Sequence, residues 1–158
     1  MFEFLLCHKR AMLSHTENTK KSKLSDLKPS KAKILNGLET ARLSAAVSLD
    51  KKAENVLILD VSELTSFTDY FVICSAPSER QVQAIAKQVL TELKGHGRAP
   101  IGIEGFEEGS WALVDCGDVV FHCFVDTKRR YYDLEGFWTD AKSLPLEEDA
   151  SESAPLLH

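Results

Sequence analysis

The apolar residues of the chain recur at spacings that predict an alternation of helices and strands. Apolar or small side chains follow one helical stripe through residues 34–49. A continuous apolar run at 56–61 predicts a buried strand, and a second strand rich in β-formers is predicted at 70–74. The first part of the folded region is therefore predicted to be helix, strand and strand.

The next segment has the clearest helical signal in the chain. Ser78 is followed three positions later by Gln81, a spacing that predicts a capping box at the start of a helix. Apolar residues then recur on one face, and the helix is predicted to end at Gly95 and Gly97, because left-handed caps favour glycine.

The remaining pattern completes an α/β architecture. A short strand is predicted at 99–103, two further strands at 111–115 and 118–125, and a final helix at 127–138. The resulting order, α-β-β-α-β-β-β-α, predicts an α/β fold with a mixed sheet of about five strands and flanking helices.

The hairpin between the last two strands separates a core face from a second face. A two-residue turn at Cys116 and Gly117 would pair Asp115 with Asp118, and this register sets Trp111 opposite His122. The second face mixes aromatic, apolar and charged residues, so it is either an exposed partner-binding surface or a face covered by a helix. Its members are Trp111, Leu113, Asp115, Asp118, Val120, His122 and Phe124.

Charge divides the chain into three parts. Residues 1–33 hold eight Lys or Arg against three acids and are predicted to be a disordered basic tail. Residues 34–143 are predicted to fold as one domain, and 144–158 to be a disordered acidic tail. Beyond residue 33 the net charge is −10, which disfavours binding to bare nucleic acid and favours a basic protein partner.

The polar residues form no recognisable catalytic or metal-binding pattern, so neither an enzyme nor a cofactor is predicted. Asp115 and Asp118 flank a turn, where aspartate is common, and no phosphate-binding loop precedes them. His122 and Cys123 are adjacent on a strand and point to opposite faces, which excludes a shared zinc site with Cys116.

The compartment is predicted from the cysteines and the N-terminus. Free thiols in a reducing cytosol are predicted for Cys7, Cys74, Cys116 and Cys123, and no secretory or membrane-spanning segment is recognised. An organelle presequence ranks lower, because Arg10 is the only arginine of the basic N-terminus.

Three phrases carry a resemblance to one family. They are the sequences of residues 58–82, 109–124 and 129–138, and in this order they resemble the ribosomal silencing factor (RsfS, Iojap-like) family over residues 34–141. The resemblance implies a nucleotidyltransferase-like fold without catalytic residues. It further implies binding to ribosomal protein L-fourteen of the large subunit, which blocks joining of the small subunit and represses translation under nutrient limitation. Organelle members of the family act in large-subunit assembly.

Pattern and resemblance together predict a partner-binding set in the hairpin and the last helix. The basic turn that begins this helix is either a contact to phosphate or RNA or a solvated surface. A large-subunit assembly factor and a divergent nucleotidyltransferase remain alternatives, and a second copy of the chain is a further candidate partner. The predicted partner-binding residues are Trp111, Leu113, Asp115, Asp118, Val120, His122, Arg129, Arg130, Tyr131, Tyr132 and Glu135.

Overall fold

A six-stranded mixed sheet organises the chain, and the structure, a computed structural model, describes residues 33–147. Cys7, and most of the two tails predicted to be disordered, lie outside the described residues. The elements are helices α1 (Gly37–Asp50), α2 (Glu79–Gly95), α3 (Asp126–Tyr132) and α4 (Leu134–Phe137), and strands β1 (Glu54–Asp60), β2 (Tyr70–Ala76), β3 (Gly102–Glu104), β4 (Trp111–Asp115), β5 (Val119–Val125) and β6 (Lys142–Leu144).

The strands are arranged in the order β3-β4-β5-β2-β1-β6. Only β2 and β5 pair in parallel, and the other neighbours are antiparallel. The predicted α/β fold with a mixed sheet is confirmed, but one strand was missed. The sequence Lys142–Leu144 is too short to show a β pattern, and it becomes a strand by pairing with the outer edge of β1. The predicted domain boundary at residue 143 therefore falls inside β6.

The two long helices cover one face of the sheet. In α2 the apolar stripe predicted from the sequence is buried against the strands. Helix α1 begins with a reciprocal capping box between Asn36 and Glu39. At α2 only half of the predicted box forms: Ser78 Oγ accepts a hydrogen bond from the Gln81 backbone N–H, while the Gln81 side chain donates to the Lys52 carbonyl.

The C-terminal segment covers part of the opposite face. The prediction of one continuous helix at 127–138 is wrong. The helix ends at Asp133, which has a left-handed backbone conformation with φ of 43°. The Asp133 carboxylate accepts a hydrogen bond from the Gly136 N–H and starts the short helix α4. The new direction lets Leu134 and Trp138 pack over Phe71 of the sheet.

The hairpin register differs from the predicted one by two residues. Residues 116–118 join the two strands, and the Cys116 N–H donates to the Val119 carbonyl at 2.9 Å. Trp111 therefore pairs with Phe124, Leu113 with His122 and Asp115 with Val120. An even shift keeps every side chain on its predicted face, so the predicted core face is confirmed.

The second face of the hairpin is not the open surface that one of the two interpretations required. The segment carrying Leu134 and Trp138 buries it together with Phe71 and Ile73 of β2. Only Trp111 and Asp118 of the predicted set on this face retain partial exposure. The residues now found to be buried are Leu113, Asp115, Val120, His122 and Phe124.

A candidate partner-binding groove

A groove of about 790 Å³ opens beside the edge strand β3, where the C-terminal cover ends. Strand β3 contributes no residue to the buried cluster under Leu134 and Trp138, at least within residues 33–147. The side chains of Trp111, Leu113 and Tyr132 line this groove together with residues of β3 and of the loop that follows it. The fold thus brings two predicted partner-binding aromatics, far apart in the sequence, into one concave surface.

Trp111 forms an aromatic wall of the groove. Its ring stacks on Phe124 with centroids 4.9 Å apart and contacts Tyr132 at 4.6 Å. The indole N–H donates a hydrogen bond to Nδ1 of His122 at 3.1 Å. Trp111 is half-buried, so it supports the fold on one side and presents apolar surface on the other.

His122 lies behind this wall and does not line the groove. It is fully buried among Phe71, Phe124 and Trp111. Burial disfavours the charged imidazolium and lowers the pKa of His122 from 6.5 to about 3. Because Nδ1 accepts the indole N–H, the proton of this neutral ring is on Nε2.

A glycine-punctuated loop, residues 105–110, forms the acidic side of the groove. Gly105 has φ of 73°, and a Cβ atom at this position would lie 1.8 Å from the Trp111 carbonyl oxygen. Gly109 also has positive φ, and its N–H donates to the Gly105 carbonyl at 2.9 Å. Sequence reasoning missed this loop as a site, although its glycine spacing was visible. Its acidic side chains are Glu107 and Glu108, beside Glu104 of β3.

The predicted basic turn divides into one structural arginine and one exposed arginine. The Arg129 guanidinium donates to Glu135 Oε1 at 2.6 and 2.9 Å, to the Asn55 carbonyl at 2.7 Å and to Ser75 Oγ at 3.2 Å. Arg129 and Glu135 are therefore engaged within the fold. Arg130 is exposed, and its Nε donates to the Asp126 carbonyl of its own helix.

The remaining predicted residues are dispersed around the hairpin. Tyr131 is 76% exposed and lies against Tyr132, with a ring-centroid distance of 5.2 Å. Asp118 is at the turn, the opposite end of the hairpin from Trp111, and forms an ion pair with Arg98. The Asp115 carboxylate accepts a hydrogen bond from the Gly117 N–H at 2.8 Å. The structure therefore places Trp111, Leu113 and Tyr132 of the predicted set at this groove, whereas Arg129, Arg130 and Glu135 line a second, separate groove.

The thiols and acids of the described region form no further chemical centre. Cys74 and Cys123 face each other on β2 and β5, and their mutual hydrogen bond, together with burial, raises the pKa of Cys123. Burial also raises the pKa of Cys116 to about 11. Within residues 33–147 no group of three His, Cys, Asp or Glu is placed to hold a metal ion. No helix in that range has the length and apolar content needed to cross a membrane.

Comparison with known proteins gives a consistent result. Residues 35–156 match the family model described as "Ribosomal silencing factor during starvation". Ribosomal silencing factor RsfS of Bacillus subtilis is 41% identical over 113 residues, 72% of this chain and 96% of that protein. The Mus musculus protein named "Mitochondrial assembly of ribosomal large subunit protein 1" is 29% identical over 126 residues, 67% of this chain and 55% of that protein. A crystal structure from Chromobacterium violaceum is similar with a TM-score of 0.65 and 38% identity, covering 66% of this chain and 88% of that one.

Proposed function

Because the chain belongs to the ribosomal silencing factor (RsfS) family, we propose that it represses translation by binding ribosomal protein L-fourteen through the groove at Trp111 and Tyr132. The bound protein occupies a surface of the large subunit that the small subunit needs for joining. Repression is strongest when nutrients are limited. The observation that carries this proposal is the aromatic wall with an acidic rim, present in a chain of this family.

The groove has the composition that suits a basic protein partner. Trp111 and Tyr132 offer large, flat apolar area, and aromatic residues of this kind are enriched among interface hot spots. Glu104, Glu107 and Glu108 add negative charge at the margin, where it favours approach of a positive surface. The net charge of −10 beyond residue 33 acts in the same direction.

The proposed mechanism is steric and needs no chemical step. A contact of ordinary size, about 1,600 Å² in total, is sufficient for a stable complex between two proteins. Such a contact would extend beyond the groove onto neighbouring exposed residues, such as Tyr131, which precedes Tyr132 in the chain. The large subunit then remains unjoined for as long as the factor stays bound.

Pelleting with purified large subunits tests the proposal. Trp111→Ala removes the aromatic wall, so we expect a loss of about 2 kcal/mol or more, roughly thirtyfold in affinity. Leu64→Ala is the matched control, because Leu64 is an exposed apolar residue outside the groove. Small subunits are then added, and the wild-type protein should reduce the yield of joined ribosomes while Trp111→Ala does not.

Two results would contradict this function. The first is a Trp111→Ala variant that is folded by thermal melting and still pellets with wild-type affinity. The second is wild-type protein that binds large subunits without reducing joining.

The second result would favour a role in assembly of the large subunit. One relative, the Mus musculus protein, carries assembly in its name. An assembly factor that contacts ribosomal RNA would bind naked large-subunit RNA with an affinity that falls steeply as salt is raised. A silencing factor that recognises a protein surface would bind ribosomal protein L-fourteen alone, with a weaker salt dependence.

A further inference from the structure

Burial of His122 is unfavourable for an imidazole unless its polar atoms are used. The side chain is fully buried, and its Nε2 atom has no hydrogen-bond partner in the described part of the chain. A buried N–H without a partner lowers stability, and an apolar ring at this position would avoid that loss. Within residues 33–147, the one polar contact of the His122 side chain is the hydrogen bond that its Nδ1 accepts from the Trp111 indole. This contact is therefore the feature that distinguishes histidine from phenylalanine here.

We propose that His122 is a positioning residue that fixes the orientation of the Trp111 indole and thereby shapes the groove for its ribosomal partner. The inference rests on the proposed function and deepens it. His122 itself contacts Trp111 from behind and does not line the groove.

Stacking alone leaves the indole orientation incompletely defined. Phe124 and Tyr132 contact the Trp111 ring at centroid distances of 4.9 and 4.6 Å. Both partners are aromatic, so an indole turned over between them would keep much of this stacking. A hydrogen bond has a single donor atom and a preferred direction, and it therefore selects one of these orientations. In the selected orientation the N–H edge points toward His122, and the rest of the ring forms the wall.

The surroundings of His122 keep this acceptor available. Phe71 lies 5.3 Å away in an edge arrangement, and Phe124 is nearly parallel at 6.1 Å. The ring stays neutral near pH 7 because burial lowers its pKa to about 3. A neutral ring with its proton on Nε2 retains the Nδ1 lone pair that the indole N–H needs.

The first test reads the tautomer in the unmodified full-length protein. Nitrogen-15 NMR of the imidazole distinguishes a proton on Nε2 from a proton on Nδ1. We expect the Nε2–H form and a slowly exchanging Trp111 indole proton. Trp111→Phe assigns that resonance, because the chain contains only two tryptophans. A proton found on Nδ1 would overturn the inference without any change to the fold.

The second test uses two substitutions of the histidine. His122→Leu removes the acceptor, whereas His122→Asn keeps an oxygen close to the position of Nδ1. We expect His122→Leu to speed exchange of the Trp111 indole proton and to weaken binding to ribosomal protein L-fourteen about tenfold. His122→Asn should restore slower exchange and most of the affinity. Melting curves confirm that both variants are folded at the temperature of the binding measurement.

A double-mutant cycle separates positioning from general destabilisation. In a Trp111→Phe background there is no indole N–H, so His122→Leu should cause no further loss of affinity. An equal loss in both backgrounds would overturn the inference, as would a folded His122→Leu protein with wild-type affinity. If the wild-type protein fails to bind ribosomal protein L-fourteen, the proposed function fails, and the tautomer and exchange measurements still decide whether His122 fixes Trp111.

Discussion

Replacement of Arg129 should reveal how the short C-terminal helices are held on the sheet. The guanidinium joins Glu135 of α4 to the Asn55 carbonyl on β1 and the Ser75 hydroxyl on β2. The Arg129 side chain is only 12% exposed, while its neighbour Arg130 is exposed on the same helix. Arg129→Met keeps the apolar stem and removes all four hydrogen bonds. Arg130→Met makes the same change in the exposed neighbour.

The expected magnitude follows from these contacts. A hydrogen bond to a charged group contributes about 1.5–3 kcal/mol, but the four bonds form one unit and are not additive. Glu135 is 32% exposed, so water screens part of its attraction for Arg129. We expect Arg129→Met to reduce the free energy of unfolding by about 2–3 kcal/mol, which is a large part of the stability of a small domain. Arg130→Met should change it by less than about 0.5 kcal/mol.

Urea denaturation followed by circular dichroism measures both variants. The midpoint should fall for Arg129→Met and remain unchanged for Arg130→Met, with equal slopes. Arg129→Lys should recover little, because an ammonium group cannot reproduce the planar arrangement of donors. Equal effects of Arg129→Met and Arg130→Met, or no effect of either, would refute the structural role assigned to this arginine.

Three further predictions concern the groove, its buried histidine and its charge. Gly105→Ala should destabilise the protein by more than about 2 kcal/mol, because its Cβ would collide with the Trp111 carbonyl; Gly95→Ala, which meets no atom within 4 Å, is the control, and thermal melting compares them. Lowering the pH from 6.5 toward 3 should reduce the free energy of unfolding, since the imidazole of His122 binds a proton in the unfolded state and not in the folded state. Urea denaturation across this pH range should show a smaller loss of stability for His122→Leu than for the wild-type protein. Joint Glu107→Lys and Glu108→Lys should slow association with ribosomal protein L-fourteen in stopped-flow measurements and leave melting unchanged, because both residues are exposed.

Regular periodicity made much of this fold predictable from the sequence. The apolar stripe of α2 and the runs of strand-forming residues in β1 and β2 have the spacing that any helix or strand needs to pack against a core. The division of the hairpin side chains between the two faces of the sheet was also predictable, since alternate residues of a strand share a face. The placement of Tyr132 in the same partner-binding set as Trp111 came from the pattern together with the family resemblance.

Local polar chemistry explains where prediction failed. The Asp115 carboxylate accepts a hydrogen bond from the Gly117 N–H in the turn, where the register differs by two residues from the predicted one. Asp133 adopts a left-handed conformation that a helical pattern does not show. Gly136 leaves room for the Asp133 carboxylate, because a Cβ atom at residue 136 would lie 2.2 Å from Asp133 Oδ2. The burial of Phe71 under the C-terminal segment follows from this break, since the break directs Leu134 and Trp138 over the sheet. Such tertiary cover has no signature in a single sequence.

Strand β6 also influences how copies of this chain behave when they meet. Without residues 142–144, β1 would present the backbone groups of residues 58–60, which include the apolar Ile58 and Leu59, along an open edge. Exposed apolar edges of this kind recruit strands from other molecules and initiate aggregation. The opposite edge, β3, is three residues long and ends at Glu104, near Glu107 and Glu108, and these three charges repel an identical edge. Residues 142–144 therefore protect the β1 edge of the sheet from self-association, while shortness and charge protect the other edge.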